Sequence, residues 1–225
     1  MKSIKFLMLL LVATMMAMTI EARTKDDPRM RNVRLTMTDG TQVEGYIPSK
    51  YLMWNLQYQV RIADNPEGKK AKKYKAENIE KMEWLTPTEE HPDGEVWEHC
   101  QTIYNYMISP SKEDCLLELL YRGKNASVYK ARFYIGGLAV NDDSWATWYA
   151  LKPHGQERAF LVYNASMDKL GGMDYQFKGK EDFATLKGFL EAWWEKDKSL
   201  ARKQLYDSPS IFCRLYDEWR STAGK

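Results

Sequence analysis

Residues 34–47, RLTMTDGTQVEGYI, carry the clearest strand–turn–strand pattern in the N-terminal part of this chain. Apolar and polar residues alternate on both sides of Asp39-Gly40, which is the pattern of a strand with one buried face. Asp-Gly between two such runs is a strong signal for a tight hairpin, because both central turn residues need a positive φ. We therefore predict two antiparallel strands. Gly45 has no side chain to pack, so it is expected to mark a bend or bulge in the second strand.

More short strands follow this hairpin. Residues 56–62 alternate again, residues 72–76 form a short basic strand, and residues 79–84 hold a last apolar group. Several short strands separated by turns predict a small antiparallel barrel or sandwich over residues 32–85. Residues 86–94 are rich in Pro, Thr and Glu and have no apolar period, so we place a linker and a domain boundary there.

Residues 95–225 are predicted to form a second unit. Its apolar-rich segments predict an antiparallel sheet with strands at 115–121, 126–135, 145–151 and 158–163. Helical periodicity follows at 181–196 and, after a Ser-Pro N-cap at 208–209, up to Arg220, with a further helical turn or two at 197–205. The predicted class is α+β: mainly β, with a small N-terminal barrel or sandwich, a second sheet, and two amphipathic C-terminal helices covering that sheet.

The first 22 residues have the three parts of a cleavable signal peptide. These are the basic residues Lys2 and Lys5, the apolar run 6–18, and the small residue Ala22 before the cut. A membrane anchor is the competing interpretation, but a spanning helix needs about 20 apolar residues and this run is shorter. We expect residues 23–31 to form a flexible leader. The chain is therefore predicted to be periplasmic or secreted, with no stable membrane anchor after cleavage.

Composition narrows the choice of partners. Lys and Arg number 33 against 31 Asp and Glu, so the formal net charge is only +2. A nearly neutral chain has no overall attraction to nucleic acid, and export argues against RNA, so we expect no nucleic-acid partner. Aromatic residues make up 13% of the chain, which is typical of a protein with a packed core and not of a disordered one.

The three cysteines leave two interpretations open. An odd count leaves at least one thiol unpaired. Cys100 and Cys115 flank a polar loop and could form a disulfide in an oxidising compartment. The alternative is that Cys100, Cys115 and Cys213 are all small buried hydrophobic residues.

The sequence contains no recognisable catalytic or metal-binding motif. A structural zinc site needs about four ligands in paired spacing, whereas His99, Cys100 and Cys115 offer three without it. Adjacent strand residues point to opposite faces, so His99 cannot act as the base for Cys100. Neither a GxSxG elbow, a P-loop nor a GxGxxG stretch occurs. We therefore expect no cofactor, no metal and no enzymatic activity.

Two weaker arrangements of polar residues are kept as alternatives. Asn141, Asp142 and Asp143 could supply oxygen ligands to calcium, although they lack the spacing of an EF-hand loop. A hydrolase would require a pocket in which His154 or Asp142 meets a nucleophile. The sequence alone brings neither arrangement together.

Aromatic residues of the second unit offer a possible ligand platform, formed by Tyr134, Trp145, Trp148 and Tyr149. Trp145 and Trp148 are an odd number of positions apart, so a regular strand places them on opposite faces and one of them can be exposed. Exposed Trp and Tyr rings bind sugar rings or partner proteins. Packing in the core is the alternative.

A possible anion patch lies in the stretch KKAKKYK, whose lysines are Lys69, Lys70, Lys72, Lys73 and Lys75. Clustered lysines attract phosphates and other anions, including anionic polysaccharides and lipid headgroups. We favour the alternative that these lysines belong to a solvated edge strand, where they prevent edge-to-edge pairing.

Three segments carry a resemblance to a known group of proteins. The hairpin DGTQVEGYI (39–47) resembles the opening hairpin of Sm-like and SH3-like barrels. Together with KKYKAENIEKMEWL (72–85) and the helices FATLKGFLEAWWEKD…SPSIFCRLYDEW (183–219), it resembles exported Bacteroidetes proteins that have no assigned function. The resemblance implies a periplasmic or secreted location and an interaction or structural role. It implies no catalytic residue.

Two functional hypotheses follow, with a third behind them. The first is an exported, non-enzymatic protein whose partner is another protein or a structure of the cell envelope. The second is a carbohydrate-binding module, which predicts nearly coplanar Trp or Tyr rings in a groove with Asp, Asn or Arg nearby. The hydrolase is the third.

Overall fold

The computed structural model describes residues 31–51, 56–87, 94–104, 111–134, 145–166, 169–170 and 181–223. The strands in these residues are β1 Asn32–Met37, β2 Gln42–Tyr46, β3 Gln59–Ile62, β4 Lys72–Lys75, β5 Ile79–Trp84, β6 Val96–Tyr104, β7 Ser111–Arg122, β8 Ala126–Tyr134, β9 Trp145–Pro153, β10 Phe160–Asn164 and β11 Lys169–Leu170. The α-helices are α1 Glu181–Lys196, α2 Lys198–Asp207 and α3 Ile211–Ala223.

Strands β1 and β2 form the predicted antiparallel hairpin, but its turn is of a different type. The Gly40 amide donates to the Met37 carbonyl at 2.9 Å, so Thr38 and Asp39 occupy the central turn positions. Gly40 follows them with a φ of 82°, as in hairpins whose turn is followed by a left-handed glycine. Asp39 accepts hydrogen bonds from the backbone and hydroxyl of Thr41 at 2.9 and 2.7 Å, and these bonds lower the pKa of its carboxyl.

Gly45 marks a close approach between strands. The backbones of Tyr46 and Ala63 exchange two hydrogen bonds of 2.9 Å, which join β2 to the end of β3. A Cβ at Gly45 would lie 2.5 Å from Ile62 Cγ2 and 2.6 Å from the Ala63 carbonyl oxygen, so only glycine fits without a shift. Because β3 pairs with β4, the first five strands follow the spatial order β4-β3-β2-β1-β5.

The predicted α+β class, mainly β with C-terminal helices, is confirmed. The strands are distributed differently from the two separate sheets that we predicted. Strand β5 pairs with β6, with Met82 opposite Trp97, so the chain on both sides of the predicted linker 86–94 enters one antiparallel sheet. This nine-stranded sheet has the order β11-β10-β9-β8-β7-β6-β5-β1-β2. The pairing of β5 with β6 has a simple reason: β5 had no predicted partner on one side, and consecutive strands joined by a short connection usually pair.

Strands β6 to β10 form a curled part of the sheet, in which the segment just before β10 hydrogen-bonds with β6. The Gln101 amide donates to the Glu157 carbonyl and the Ala159 amide donates to the Gln101 carbonyl, both at 2.9 Å. The inner face of this curl is a buried cluster of mostly small and apolar residues that includes Cys100, Cys115, Leu117, Tyr129, Ala131, Trp148, Ala150 and Leu161. Sequence analysis did not predict β6, although it supplies one wall of this cluster.

The helices pack on the outer face of β8, β9 and β10. Residues of α1 and α3, among them Leu190 and Phe212, join strand residues such as Val128 and Val162 in one core cluster. Leu186 and Leu190 are fully buried and Trp194 is nearly so, as their helical spacing predicted. The short helical stretch expected near residues 197–205 is a full helix, α2, whose N-cap Asp197 accepts a hydrogen bond from the Leu200 amide at 2.9 Å.

The first five strands have their own core, and it extends onto β7. Val33, Leu35 and Ile79 are fully buried there, together with Leu116 from β7. Met82 and Trp97, which face each other across β5 and β6, also contact this core. The two predicted β units therefore share a sheet and a layer of apolar contacts.

Several predictions fall outside the described residues. They are the signal peptide at 1–22, most of the leader at 23–31, and the calcium alternative at Asn141, Asp142 and Asp143. Within the described ranges, none of the helices has the length and apolar character needed to cross a membrane.

Candidate functional site

A cavity of about 390 Å³ lies between the end of the large sheet and helix α2. Its walls are aromatic and basic: Tyr149 and Tyr163 on the sheet side, and Arg202, Lys203 and Tyr206 on the helix side. Ligand pockets usually measure roughly 300–1,000 Å³, so this cavity can hold a small ligand or the end of a longer one. We call it the tyrosine pocket.

The sheet wall of the tyrosine pocket is a cross-strand aromatic pair. Tyr149 of β9 and Tyr163 of β10 are register partners, which brings their side chains to the same face. Their ring centroids are 5.9 Å apart and their planes differ by 28°, so the rings are stacked. Tyr163 also contacts the indole of Trp194 at 5.8 Å. Packing against the core therefore fixes this wall.

The helix wall of the pocket follows from the periodicity of α2. Ala201 and Leu205, one turn apart, are buried and attach the helix to the core. The face next to this buried pair carries Arg202, Lys203 and Tyr206. Tyr206 lies four positions after Arg202 and three after Lys203, which is the spacing of neighbours on a helix surface. Tyr206 is 92% exposed, which is unusual for a large aromatic side chain and leaves its ring available to a ligand.

The predicted platform is only partly assembled at this site. Tyr149 lines the tyrosine pocket. Trp148 is 9% exposed and packs inside the curl of β6 to β10, where alternation along β9 directs it away from Tyr149, so it does not form an exposed platform. The backbones of Tyr134 and Trp145 are register partners at the ends of β8 and β9, and their side chains lie outside the described part.

The sequence did not indicate the other aromatic and basic residues of the pocket, which are Tyr163, Arg202, Lys203 and Tyr206. Tyr163 ends an apolar run and was assigned only to a strand. The apolar residues Ala201 and Leu205, four positions apart, were a usable sequence signal for α2. However, no local pattern indicates which strand that helix would face.

The predicted anion patch is solvent-exposed at the edge of the two-stranded sheet. The ammonium group of Lys72 lies 5.1 Å from the centroid of the Tyr74 ring, and Lys75 pairs with Glu77 at 3.1 Å. Lys73 and Lys75 also line a second cavity, of about 320 Å³, whose walls include the acidic residues Glu77 and Asp114. Carboxylates beside the lysines reduce the attraction of this cavity for an anion.

A polar network occupies one end of the curl of β6 to β10. Tyr129 donates a hydrogen bond of 2.6 Å to Glu98, which also pairs with Arg122. Nearby, Ser127 Oγ lies 3.2 Å from His154 Nε2. A serine beside a histidine is what a hydrolase would need, but Ser127 is only 1% exposed, so a substrate does not reach its hydroxyl.

The cysteines of the inner face are buried thiols. No disulfide joins any of the three cysteines, although Cys100 and Cys115 are register partners. The Cys115 thiol instead donates to the Cys100 carbonyl at 3.4 Å. Burial raises the pKa of the Cys100 thiol from 9.0 to about 12, so it stays protonated and is a weak nucleophile at neutral pH.

The three residues that were considered and rejected as zinc ligands do not converge. Cys100 and Cys115 face the interior, while the His99 ring contacts Asp114 at 3.1 Å. Among the residues that the structure describes, no group of three or more His, Cys, Asp or Glu side chains is placed to hold a metal ion.

Comparisons with known proteins add no identity. The chain matches no protein-family model, no curated protein and no solved structure. The functional argument therefore depends on the fold and on the tyrosine pocket.

Proposed function

We propose that this protein is an exported, non-enzymatic binding protein whose ligand is a carbohydrate bound in the tyrosine pocket. The observation that carries the proposal is a cavity of about 390 Å³ lined by Tyr149 and by the exposed ring of Tyr206. Tyr163, which is only 7% exposed, stacks on Tyr149 and supports its ring. Aromatic faces suit the apolar faces of sugar rings, and a neighbouring arginine can bond to hydroxyl groups. Of the platform predicted for a carbohydrate-binding module, Tyr149 is the residue that lines this cavity.

Two candidate nucleophiles are poorly placed for catalysis, which weakens the hydrolase alternative. Ser127 is buried, and Cys100 is held as a protonated thiol. Export is supported by the basic start, the apolar run and Ala22 of the N-terminal 22 residues. N-terminal sequencing of protein recovered from the periplasm or medium is expected to begin at Arg23. Recovery from the cytosol with Met1 intact would contradict export.

Binding is tested on a glycan array with the chain from Arg23 to Lys225, followed by calorimetry with a glycan that binds. Truncation of the exposed ring in Tyr206→Ala should weaken binding about fivefold, since an aromatic contact is worth about 1 kcal/mol. The matched control is Tyr121→Ala, which removes another exposed tyrosine that does not line the pocket. Failure of every glycan to bind, or equal losses in both variants, would refute the proposal.

A protein partner is the second candidate. Leu200 is 51% exposed on the same helix as Tyr206, and exposed apolar residues are common at protein contacts. If no glycan binds, while a cross-linker at position 200 captures one defined protein in vivo and Tyr206→Ala in the same protein abolishes that capture, this candidate replaces the first.

A further inference from the structure

We infer that the cavity of about 320 Å³ between β4 and β7 binds a free α-amino acid in its zwitterionic form. Its walls carry charges of both signs: Lys73 and Lys75 of β4, Glu77 just after β4, and Asp114 of β7. A volume near the lower end of the range for ligand pockets suits a molecule of this size. We call it the charged cavity, and the inference is independent of the tyrosine pocket and its ligand.

The two walls of the charged cavity are fixed relative to each other by backbone hydrogen bonds. The Leu116 amide of β7, two residues after Asp114, donates to the Gln57 carbonyl at 2.7 Å. The Ala76 amide donates to the Tyr58 carbonyl at 3.0 Å, which holds the end of β4 beside the start of β3. The cavity is therefore formed before a ligand arrives, and binding costs little ordering of the protein.

Lys73 supplies the positive charge that is available to a ligand. Lys75 is already paired with Glu77 at 3.1 Å. Lys73 forms no hydrogen bond or ion pair with any of the described residues, including Asp114 and the exposed Asp64 of the hairpin turn. Its ammonium group is therefore free to receive a carboxylate.

A second cation lies beside Lys73 and strengthens its need for an anionic partner. Arg61 of β3 is the register partner of Lys73, so the two side chains share one face of the hairpin. The guanidinium of Arg61 lies over the Tyr51 ring, 5.0 Å from its centroid. Like charges directly opposite each other in a sheet are destabilising, and a carboxylate bound at Lys73 relieves that repulsion.

Asp114 supplies the negative charge of the site. Its Oδ1 accepts from His99 Nε2 at 3.1 Å and from Gln101 Nε2 at 3.3 Å. A carboxylate can only accept, so His99 carries a hydrogen on Nε2, and a neutral imidazole provides it without cancelling the negative charge. Among the described residues, Oδ2 has no partner, and the side chain is 39% exposed at the cavity wall. Asp114 is thus oriented with one oxygen left to accept an ammonium group.

Lys73 and Asp114 present one available charge of each sign to the same cavity. A ligand with both charges can donate from its ammonium group to Asp114 and accept at its carboxylate from Lys73, and both hydrogen bonds are charge-assisted. A simple anion meets the repulsion of the carboxylates, and a simple amine meets that of the lysines, so each gains less. An α-amino acid carries both groups on one carbon atom and is small enough for the cavity.

The test is calorimetry of the mature chain with the twenty common L-amino acids, followed by the N-acetyl and methyl-ester derivatives of any that bind. Acetylation removes the positive charge of the ligand and esterification removes the negative charge. We expect at least one amino acid to bind, and each of its derivatives to bind about tenfold more weakly, because a hydrogen bond to a charged group is lost.

Variants assign each end of the ligand to one residue. Lys73→Gln and Asp114→Asn should each weaken binding of the amino acid about tenfold. Lys73→Gln should not weaken binding of the methyl ester further, and Asp114→Asn should not weaken binding of the N-acetyl form further. The controls Lys69→Gln and Asp64→Asn change exposed charges of the same hairpin that do not line the cavity, and should leave the affinity unchanged.

The outcomes separate this site from the general charge of the hairpin and from the tyrosine pocket. Absence of binding by every amino acid, or derivatives that bind as tightly as the parent, would overturn the inference. So would an equal loss in Lys69→Gln and Lys73→Gln. Tyr206→Ala should leave amino-acid binding intact. Thermal melts show whether Asp114→Asn still folds; if it does not, the comparison of derivatives on the wild type and on Lys73→Gln decides.

Discussion

Replacement of Gly45 by alanine tests the contact that joins the two-stranded sheet to the large one. The added Cβ would lie 2.5 Å from Ile62 Cγ2 and 2.6 Å from the Ala63 carbonyl oxygen, whereas ordinary contacts lie at 3.4–4 Å. That carbonyl accepts the Tyr46 amide at 2.9 Å, so β3 cannot retreat without stretching the hydrogen bond. Overpacking of this kind costs about 1–3 kcal/mol.

Part of this cost is offset in the unfolded state. Alanine has less backbone freedom there than glycine, which stabilises the folded protein by about 0.4–1 kcal/mol. We therefore expect Gly45→Ala to lower the free energy of unfolding by about 1–2 kcal/mol. The assay is urea unfolding of the mature chain, in which the midpoint should fall while the m-value stays constant.

The matched control is Gly188→Ala in α1. A Cβ at Gly188 would have nothing within 4 Å, and the residue lies inside a helix, so this variant should gain about 0.5–1 kcal/mol. The two glycine-to-alanine changes are thus expected to have opposite signs. If Gly45→Ala were as stable as the wild type, the close approach of β2 and β3 would be wrong.

Three further predictions concern the cores. Leu116→Ala should lower the free energy of unfolding by about 2–5 kcal/mol, because the side chain is fully buried against the core of β1 to β5. The control, Leu200→Ala at a half-exposed position, should change it by less than about 0.5 kcal/mol. Equal effects of the two variants in urea unfolding would contradict the shared core. Burial raises the pKa of the Cys100 thiol above its unfolded value of 9.0, so the folded state favours the protonated thiol. The free energy of unfolding should therefore fall as the pH rises above about 9, by about 1.4 kcal/mol per pH unit. In Cys100→Ala this fall should be less steep. Unfolding the protein in the presence of a thiol reagent should label all three cysteines, and labelling of only one would show a Cys100–Cys115 disulfide.

Features that depend on the short periodicity of a single strand or helix could be predicted from the sequence alone. The alternation of Val33 and Leu35 placed them in a core, and the Asp39-Gly40 pair located the turn between β1 and β2, although not its type. The spacing of Leu186, Leu190 and Trp194 indicated the buried face of α1 correctly. In each case the deciding residues lie within a few positions of one another, so the geometry of a single strand or helix is sufficient.

Features that depend on distant segments were not predictable in this way. Local alternation showed that Trp148 and Tyr149 face opposite sides of a strand, but only the curl of β6 to β10 decides that Trp148 is enclosed and that Tyr149 meets Tyr163. The backbone bridge between Gln101 of β6 and the chain before β10 is one of the contacts that close the curl, and it has no periodic signal in the sequence.

The predominance of strands and the helical C-terminus could be predicted from residues 32–223 without the structure, because each depends on neighbouring residues. The expectation of a signal peptide has the same local basis and stays a prediction. Tertiary structure decided that the strands on both sides of residues 86–94 form one sheet, and that Arg202 and Tyr206 of α2 face Tyr149 and Tyr163. The physical reason is that sheet edges and helix faces select partners by packing across long stretches of chain, and no short pattern records that selection.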